Sequence, residues 1–220
     1  LLLAKAGEVL AVEKDARLVE VLRERFVPHS ALRTPRFELL HDDALDYIRR
    51  ERRDWSGWKL VANLPYSVAS PILVELAQSP RRPKRMIVTL QLEVAQRLMA
   101  KADDDDYGVL TLLVQLDYEP RSWFKIPASC FFPAPDVESA CVTLARREQP
   151  LLAGEHRATF VEIVKRAFSQ RRKMMLKLLK TEWPLEKLQA AFATLNISPQ
   201  ERAEKLNVEQ FVARTEDLAA

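Results

Sequence analysis

The chain has 220 residues, 48% hydrophobic and 30% charged, with a formal net charge of +3. That is enough apolar material for one substantial core and a small second domain, and too little net charge to point to a partner by itself. No apolar run reaches the roughly 18 residues of a membrane span, and Lys5 interrupts Leu1-Leu2-Leu3 before it could serve as a signal core, so a cytoplasmic protein without a membrane partner is expected.

Residues 8–12 are a β-prone run after Gly7, and apolar positions 18, 19, 22 and 26 give residues 16–26 one helical face. Residues 37–40 read as the next strand, 44–50 as a short helix and 59–62 as a third strand ending at Asn63. Residues 68–78 are then helical, with Pro71 tolerated in the first turn. A fourth strand over 85–91 leads into a helix over 92–100 and an acidic loop over 101–106, read as mobile and solvated. Apolar residues at 109, 112, 113 and 116 mark another helix, followed by strands over 121–126 and 137–144 joined through a proline-marked loop, which suits a sheet closing with a hairpin.

Strands alternating with helices predict an α/β fold with a largely parallel sheet. After residue 148 only helical patterns follow, with Phe160, Val164, Ala167 and Phe168 on one face and further helices over 184–195 and 208–218. The expected organisation is therefore an α/β domain over 1–148 and a small all-α domain over 149–220. Between residues 157 and 180 there are eight basic side chains against the single acid Glu162, a candidate phosphate-facing surface or else a solvated helical face. Cys130 and Cys141 lie away from His29, His41 and His156, so two buried thiols are expected rather than a metal site.

Asn63-Leu64-Pro65-Tyr66 carries the most specific chemistry. An exocyclic adenine amine is a poor nucleophile because its lone pair is delocalised into the ring. The Asn63 amide oxygen and the Leu64 carbonyl could accept its two hydrogens, with Pro65 fixing the backbone between them. Tyr66 would offer an aromatic face to a base turned out of its helix. The alternative is an ordinary turn after a buried strand, where Asn and Pro are common.

Further segments accompany it: Leu90-Gln91-Leu92-Glu93-Val94, Tyr107-Gly108, Phe131-Phe132-Pro133-Ala134-Pro135-Asp136-Val137-Glu138-Ser139, Ala167-Phe168-Ser169-Gln170-Arg171-Arg172-Lys173 and Arg202-Ala203-Glu204. In their order and over nearly the whole length, the chain resembles the KsgA/Dim family of small-subunit ribosomal RNA adenine N6-dimethyltransferases, relatives of the Erm large-subunit enzymes. The resemblance implies a Rossmann-like class I methyltransferase sheet with a small C-terminal helical domain. It implies S-adenosylmethionine as cofactor and dimethylation of two adjacent adenosines near the 3′ end of small-subunit rRNA, on the immature subunit and by a monomer. Glu13 would take the cofactor's ribose hydroxyls, the alternative being a surface carboxylate beside Lys14; Asp43 would take its adenine amine, with Asp42 as rival and helix capping as the other role; Asn63 would border both cofactor and target. Phe131 would be the second wall of the base pocket, with Phe132 as rival and plain core as the alternative. Arg171, Arg172 and Lys173 would contact RNA.

The family's first strand and Gly-x-Gly loop have no counterpart here, since Gly7, Gly57, Gly108 and Gly154 are isolated. Leu1-Leu2-Leu3-Ala4-Lys5 is read as the tail of the helix that should follow that loop, and the chain as an N-terminally shortened form expected to bind the cofactor weakly or not at all. The absent strand would lie between those ending at Glu13 and Asn63. An Erm-like large-subunit enzyme and a non-catalytic assembly factor are the competing functions.

Overall fold

The computed structural model describes residues 2–30 and 36–219, and side chains except those of 27–36. Leu1 of the expected helix tail lies outside the described residues; Leu2 closes a single turn by accepting from Lys5 and Ala6. The strands are β1 (Glu8–Glu13), β2 (Arg36–His41), β3 (Lys59–Asn63), β4 (Arg85–Gln91), β5 (Tyr118–Ile126) and β6 (Ser139–Arg146). The helices are α1 (Ala16–Ser30), α2 (Ala44–Glu51), α3 (Ala69–Gln78), α4 (Leu92–Met99), α5 (Val109–Gln115), α6 (Arg157–Ala167), α7 (Met175–Leu179), α8 (Leu185–Thr194) and α9 (Val208–Ala219). The fold is α/β with a helical C-terminal region, as expected.

The chain forms two compact units, Leu1–Arg53 and Asp54–Ala220. In the first, β1 and β2 pair in parallel, with Glu13 opposite His41. Asp15 starts α1 by accepting from the N–H groups of Arg17 (2.8 Å) and Leu18 (3.2 Å), and Asp43 does the same for α2. Each replaces hydrogen bonds that the first turn of a helix lacks.

In the second unit the sheet order is β3-β4-β6-β5, parallel between β3 and β4 and antiparallel across β6. The alternation in β4 puts Met86, Val88 and Leu90 on one fully buried face, continued across β6 by Ala140, Val142 and Leu144. Helix α4 packs against β4, β5 and β6, and α5 against β5. The expected hairpin is present with shifted ends. β5 starts earlier, at Tyr118, because that ring is fully buried and its hydroxyl donates to the Pro83 carbonyl at 2.6 Å. β6 starts later, at Ser139, because residues 136–138 are exposed.

Helices α6 to α9 share one hydrophobic core with α5: Leu112, Phe160, Val164, Leu179, Phe192 and Phe211 belong to it. Each such side chain contributes about 1.5–3 kcal/mol on burial, so the helices after residue 149 are joined to α5 by packing as well as by the chain. At 148/149 the secondary structure changes from sheet to helix, whereas compactness divides the chain at Arg53/Asp54. Among the described residues no helix is long and apolar enough to cross a membrane.

Candidate functional site

The segment that follows β3 is built by its neighbour β4. Asn63 pairs with Thr89, and the Leu64 N–H donates to the Thr89 carbonyl at 3.0 Å, so the backbone stays on the sheet one residue beyond the strand. Leu64 turns its side chain into the core, at 6% exposure, while Asn63 and Pro65 are exposed. The Pro65 carbonyl accepts from Val68 at 3.1 Å, closing the turn into α3. Pro71 falls in the first turn of that helix, where a missing N–H costs no hydrogen bond.

Tyr66 is fixed by a residue that sequence reasoning quoted only as part of a motif. Its hydroxyl lies 2.6 Å from the Ser139 hydroxyl, and Ser139 is fully buried at the start of β6, paired with both Gln91 and Ile126. An aromatic ring held at its tip by a buried partner keeps one orientation, which is what a stacking surface requires. The signal for Ser139 was its place at the end of the Phe-x-Pro-x-Pro-x-Val-x-Ser run.

Residues 127–138 leave the sheet at the Ile126/Ser139 end. After a short 3-10 turn over Ala128–Cys130, Phe131 is extended and half-buried, its N–H donating to the Ala128 carbonyl at 3.1 Å. Phe132 is fully exposed, so it is no part of the core. The loop returns where the Glu138 carbonyl accepts from Leu92 at 2.9 Å, at the end of β4. Phe131 therefore belongs to a loop tied to the same end of the sheet as Asn63 and Tyr66. Cys130 is exposed and Cys141 half-buried, both free, which corrects the expectation of two buried thiols: Cys130 sits in this loop rather than in a strand.

In the first unit, Glu13 and Asp43 stand at the carboxyl ends of β1 and β2. The Asp42 N–H donates to the Glu13 carbonyl at 3.0 Å, and a Glu13 carboxylate oxygen accepts from the Asp15 N–H at 2.8 Å. Asp43 Oδ1 accepts from Leu45 (2.9 Å) and Asp46 (3.3 Å), while Oδ2 meets the Lys14 ammonium at 2.8 Å. Lys14 first, then the helix N–H groups, hold the Asp43 carboxyl below its ordinary value. Asp42, the rival, is turned to other work: Oδ1 accepts from the Asp43 N–H at 2.8 Å and Oδ2 from Arg50 at 2.7 Å. Capping is thus what the structure assigns to Asp43; Lys14, which the sequence set only beside Glu13, is its charged partner. Two acceptor-only carboxylates at neighbouring strand ends suit the hydroxyl and amine donors of a nucleoside.

The basic stretch is not one helix. α6 ends at Ala167, residues 168–174 turn, and α7 follows. Around that turn lies a cavity of about 560 Å³ whose lining includes Arg166, Arg172, Lys173, Lys177 and Lys180. Arg166 is braced by Thr181 and by Glu182, each at 2.9 Å. Arg171 separates from Arg172 and Lys173: its guanidinium donates to the Asp105 carbonyl. That contact, with Asp103 N–H on the Glu204 carbonyl (2.9 Å) and Asp103 paired to Lys205, ties down an acidic loop expected to be mobile. Opposite charge supplied by the C-terminal region is the reason. Among the described residues no cluster of His, Cys, Asp and Glu is placed to hold a metal ion.

The first unit, with carboxylates at the ends of neighbouring parallel strands, is built as a nucleoside-binding α/β unit, and the second by itself presents an exposed Asn beside a clamped Tyr; these are the features of a nucleoside-handling methyltransferase. The chain belongs to the ribosomal RNA adenine dimethylase family, whose model matches residues 2–220. It is 36% identical over 219 residues to the ribosomal RNA small subunit methyltransferase A of Clostridium perfringens, covering 99% of this chain and 75% of that protein. It is 34% identical over 220 residues to the protein of the same name from Geobacillus kaustophilus, covering 98% and 75%. Among solved structures, the 23S rRNA methyltransferase ErmE superposes with a TM-score of 0.70 at 25% identity, over 100% of this chain and 85% of that one. A dimethyladenosine transferase from Plasmodium falciparum superposes with a TM-score of 0.79 at 21% identity, over 97% and 82%, and supports the fold.

Proposed function

We propose that the protein is an S-adenosylmethionine-dependent rRNA adenine N6-dimethyltransferase acting on two adjacent adenosines near the 3′ end of small-subunit rRNA, on the immature subunit, as a cytoplasmic monomer. The observation that carries this is the end of β3: exposed Asn63, a proline-fixed backbone and a Tyr66 ring clamped on Ser139. The Asn63 amide oxygen and the Leu64 carbonyl accept the two amine hydrogens of the target adenine and favour a more tetrahedral nitrogen, freeing its lone pair. Tyr66 and Phe131 form the walls that hold the unstacked base. Most of the rate then comes from orientation, and no strong general base is needed.

Glu13 would hold the ribose hydroxyls of the cofactor and Asp43 its adenine amine, with Asn63 bordering the reacting end. Lys14 yields Asp43 Oδ2 at small cost, because its side chain is 78% exposed and such surface pairs are weak. The bound cofactor supplies an electrophilic methyl group on a sulfonium. Arg172 and Lys173, with Arg171 beside them, neutralise phosphates and place the enzyme without reading sequence, which gives residues 149–220 the role of an RNA- and subunit-binding region.

The test is methyl transfer from labelled cofactor to immature small subunits, with the modified adenines mapped by mass spectrometry. Asn63→Ala should lower transfer about a hundredfold or more while leaving RNA affinity within about twofold. Full activity in that variant would refute the role of Asn63. Label on large-subunit rRNA instead would make the enzyme Erm-like, and binding without any label would make it an assembly factor.

A further inference from the structure

Phe132 is 102% exposed, beside the half-buried Phe131 and just after the exposed Cys130. Water around a whole phenyl ring is unfavourable, so this ring offers apolar surface in the loop that leaves the sheet where Tyr66 is held. The adjoining strand continues the pattern. β5 is the outer strand of its sheet, and Arg121-Ser122-Trp123-Phe124-Lys125 is exposed throughout, with Trp123 at 43% and Phe124 at 62%. Trp123 pairs with Val142 and Phe124 with Cys141, so the two rings lie on opposite faces of one edge. The edge runs directly to Ile126 and Ser139, where the loop bearing Phe132 departs and the Tyr66 hydroxyl is held. Lys125 reaches Glu138 at 2.5 Å and Arg121 pairs with Glu119. Exposed pairs of this kind are weak, so holding their cations costs a competing phosphate little.

We propose that Phe132, with Phe124 on the face of β5 that carries Ser139, is a stacking platform for the unpaired RNA bases that flank the target adenosine, and that Lys125 accompanies the phosphates of that strand. Aromatic faces interleaved with cations are the means by which single-stranded nucleic acid is held without reading its sequence. A base taken out of its stack leaves neighbours that need new partners, and the platform is continuous with the segment that holds the base. The inference rests on the adenine-holding role of Asn63 to Tyr66, and it assigns Phe132 a positioning role outside the base pocket.

The probe is a single-stranded RNA carrying 2-aminopurine immediately beside the target adenosine, whose fluorescence falls on stacking. The wild-type protein and Asn63→Ala should quench it equally; Phe132→Ala should lose most of the quenching and bind roughly tenfold more weakly, within what one base–aromatic stack supplies. Phe132→Trp should restore both. In methyl transfer, Phe132→Ala should raise KM for the subunit and leave kcat nearly unchanged, with an unaltered melting temperature because the ring touches no core. Quenching and KM unchanged in Phe132→Ala would overturn the proposal, as would a fall in kcat at constant KM, which would place Phe132 inside the base pocket. Phe132-dependent quenching by a wild-type protein that methylates no RNA would support the platform and count against the methyltransferase reading alone.

Discussion

Asp43 spends one carboxylate oxygen on the first turn of α2 and the other on Lys14. Both interactions favour the ionised form, so its folded-state pKa lies below the usual value of about 3.9 for an unfolded aspartate. A group depressed on folding contributes stability that is present above that unfolded value and is lost as pH falls through the folded one. Lys14→Met removes the leading cause, and should move the Asp43 carboxyl back toward about 3.9 in an NMR titration while the helix N–H groups keep part of the shift. An unmoved titration would show that the cap alone sets it. The sequence showed two adjacent acids before α2 and could not apportion Asp42 and Asp43, because the choice depends on Arg50, in the last turn of α2, reaching back to Asp42. Ser139 was likewise visible as a letter in a motif, but its hold on Tyr66 joins residues 73 positions apart.

At the scale of elements, residues 157–180 show where periodicity stops being informative. No Gly or Pro occurs between Gly154 and Pro184, so nothing local announces the end of α6. The helix ends because Phe168 is drawn into an aromatic cluster, its ring 6.1 Å from those of both Tyr107 and Phe211. The turn that follows gathers Arg172 and Lys173 around the basic cavity and sends Arg171 to the Asp105 carbonyl. Each phosphate contact adds about 0.7–0.9 to the slope of log affinity against log salt. Replacing Arg172 and Lys173 together by alanine should therefore flatten that slope by roughly 1.5 in an anisotropy titration of RNA, and Arg171→Ala should flatten it less. Equal effects of all three would mean that the cavity is not where RNA lies. The strands and the remaining helices were legible to within a few residues, because period two and period 3.6 are local properties of a chain.

Across the larger unit, one buried carboxylate joins distant parts of the chain. Asp117, 3% exposed at the junction of α5 and β5, meets Arg82 just before β4 and takes the Arg157 guanidinium with both oxygens at the start of α6. Arg82 also donates to the Ser79 carbonyl at 2.8 Å, and Arg146 donates to the Arg82 carbonyl at 2.8 Å. Removing one partner of such a buried network leaves uncompensated charge. Asp117→Asn should cost about 3–5 kcal/mol in urea unfolding, loosening the C-terminal helices from the sheet. A loss below about 1 kcal/mol would mean that hydrophobic packing alone holds them.

The sequence by itself determined the fold class, the order of strands and helices, the family, and the residues at the end of β3 on which the proposed chemistry rests, because local pattern and short motifs are written in neighbouring letters. Only the tertiary structure decided what holds those residues in place. The clamp of Ser139 on Tyr66, the pairing of Lys14 with Asp43 and the departure of Arg171 to the Asp105 carbonyl each depend on partners far away in the chain. Burial and hydrogen bonding at such range follow from packing, and packing leaves no local period to read.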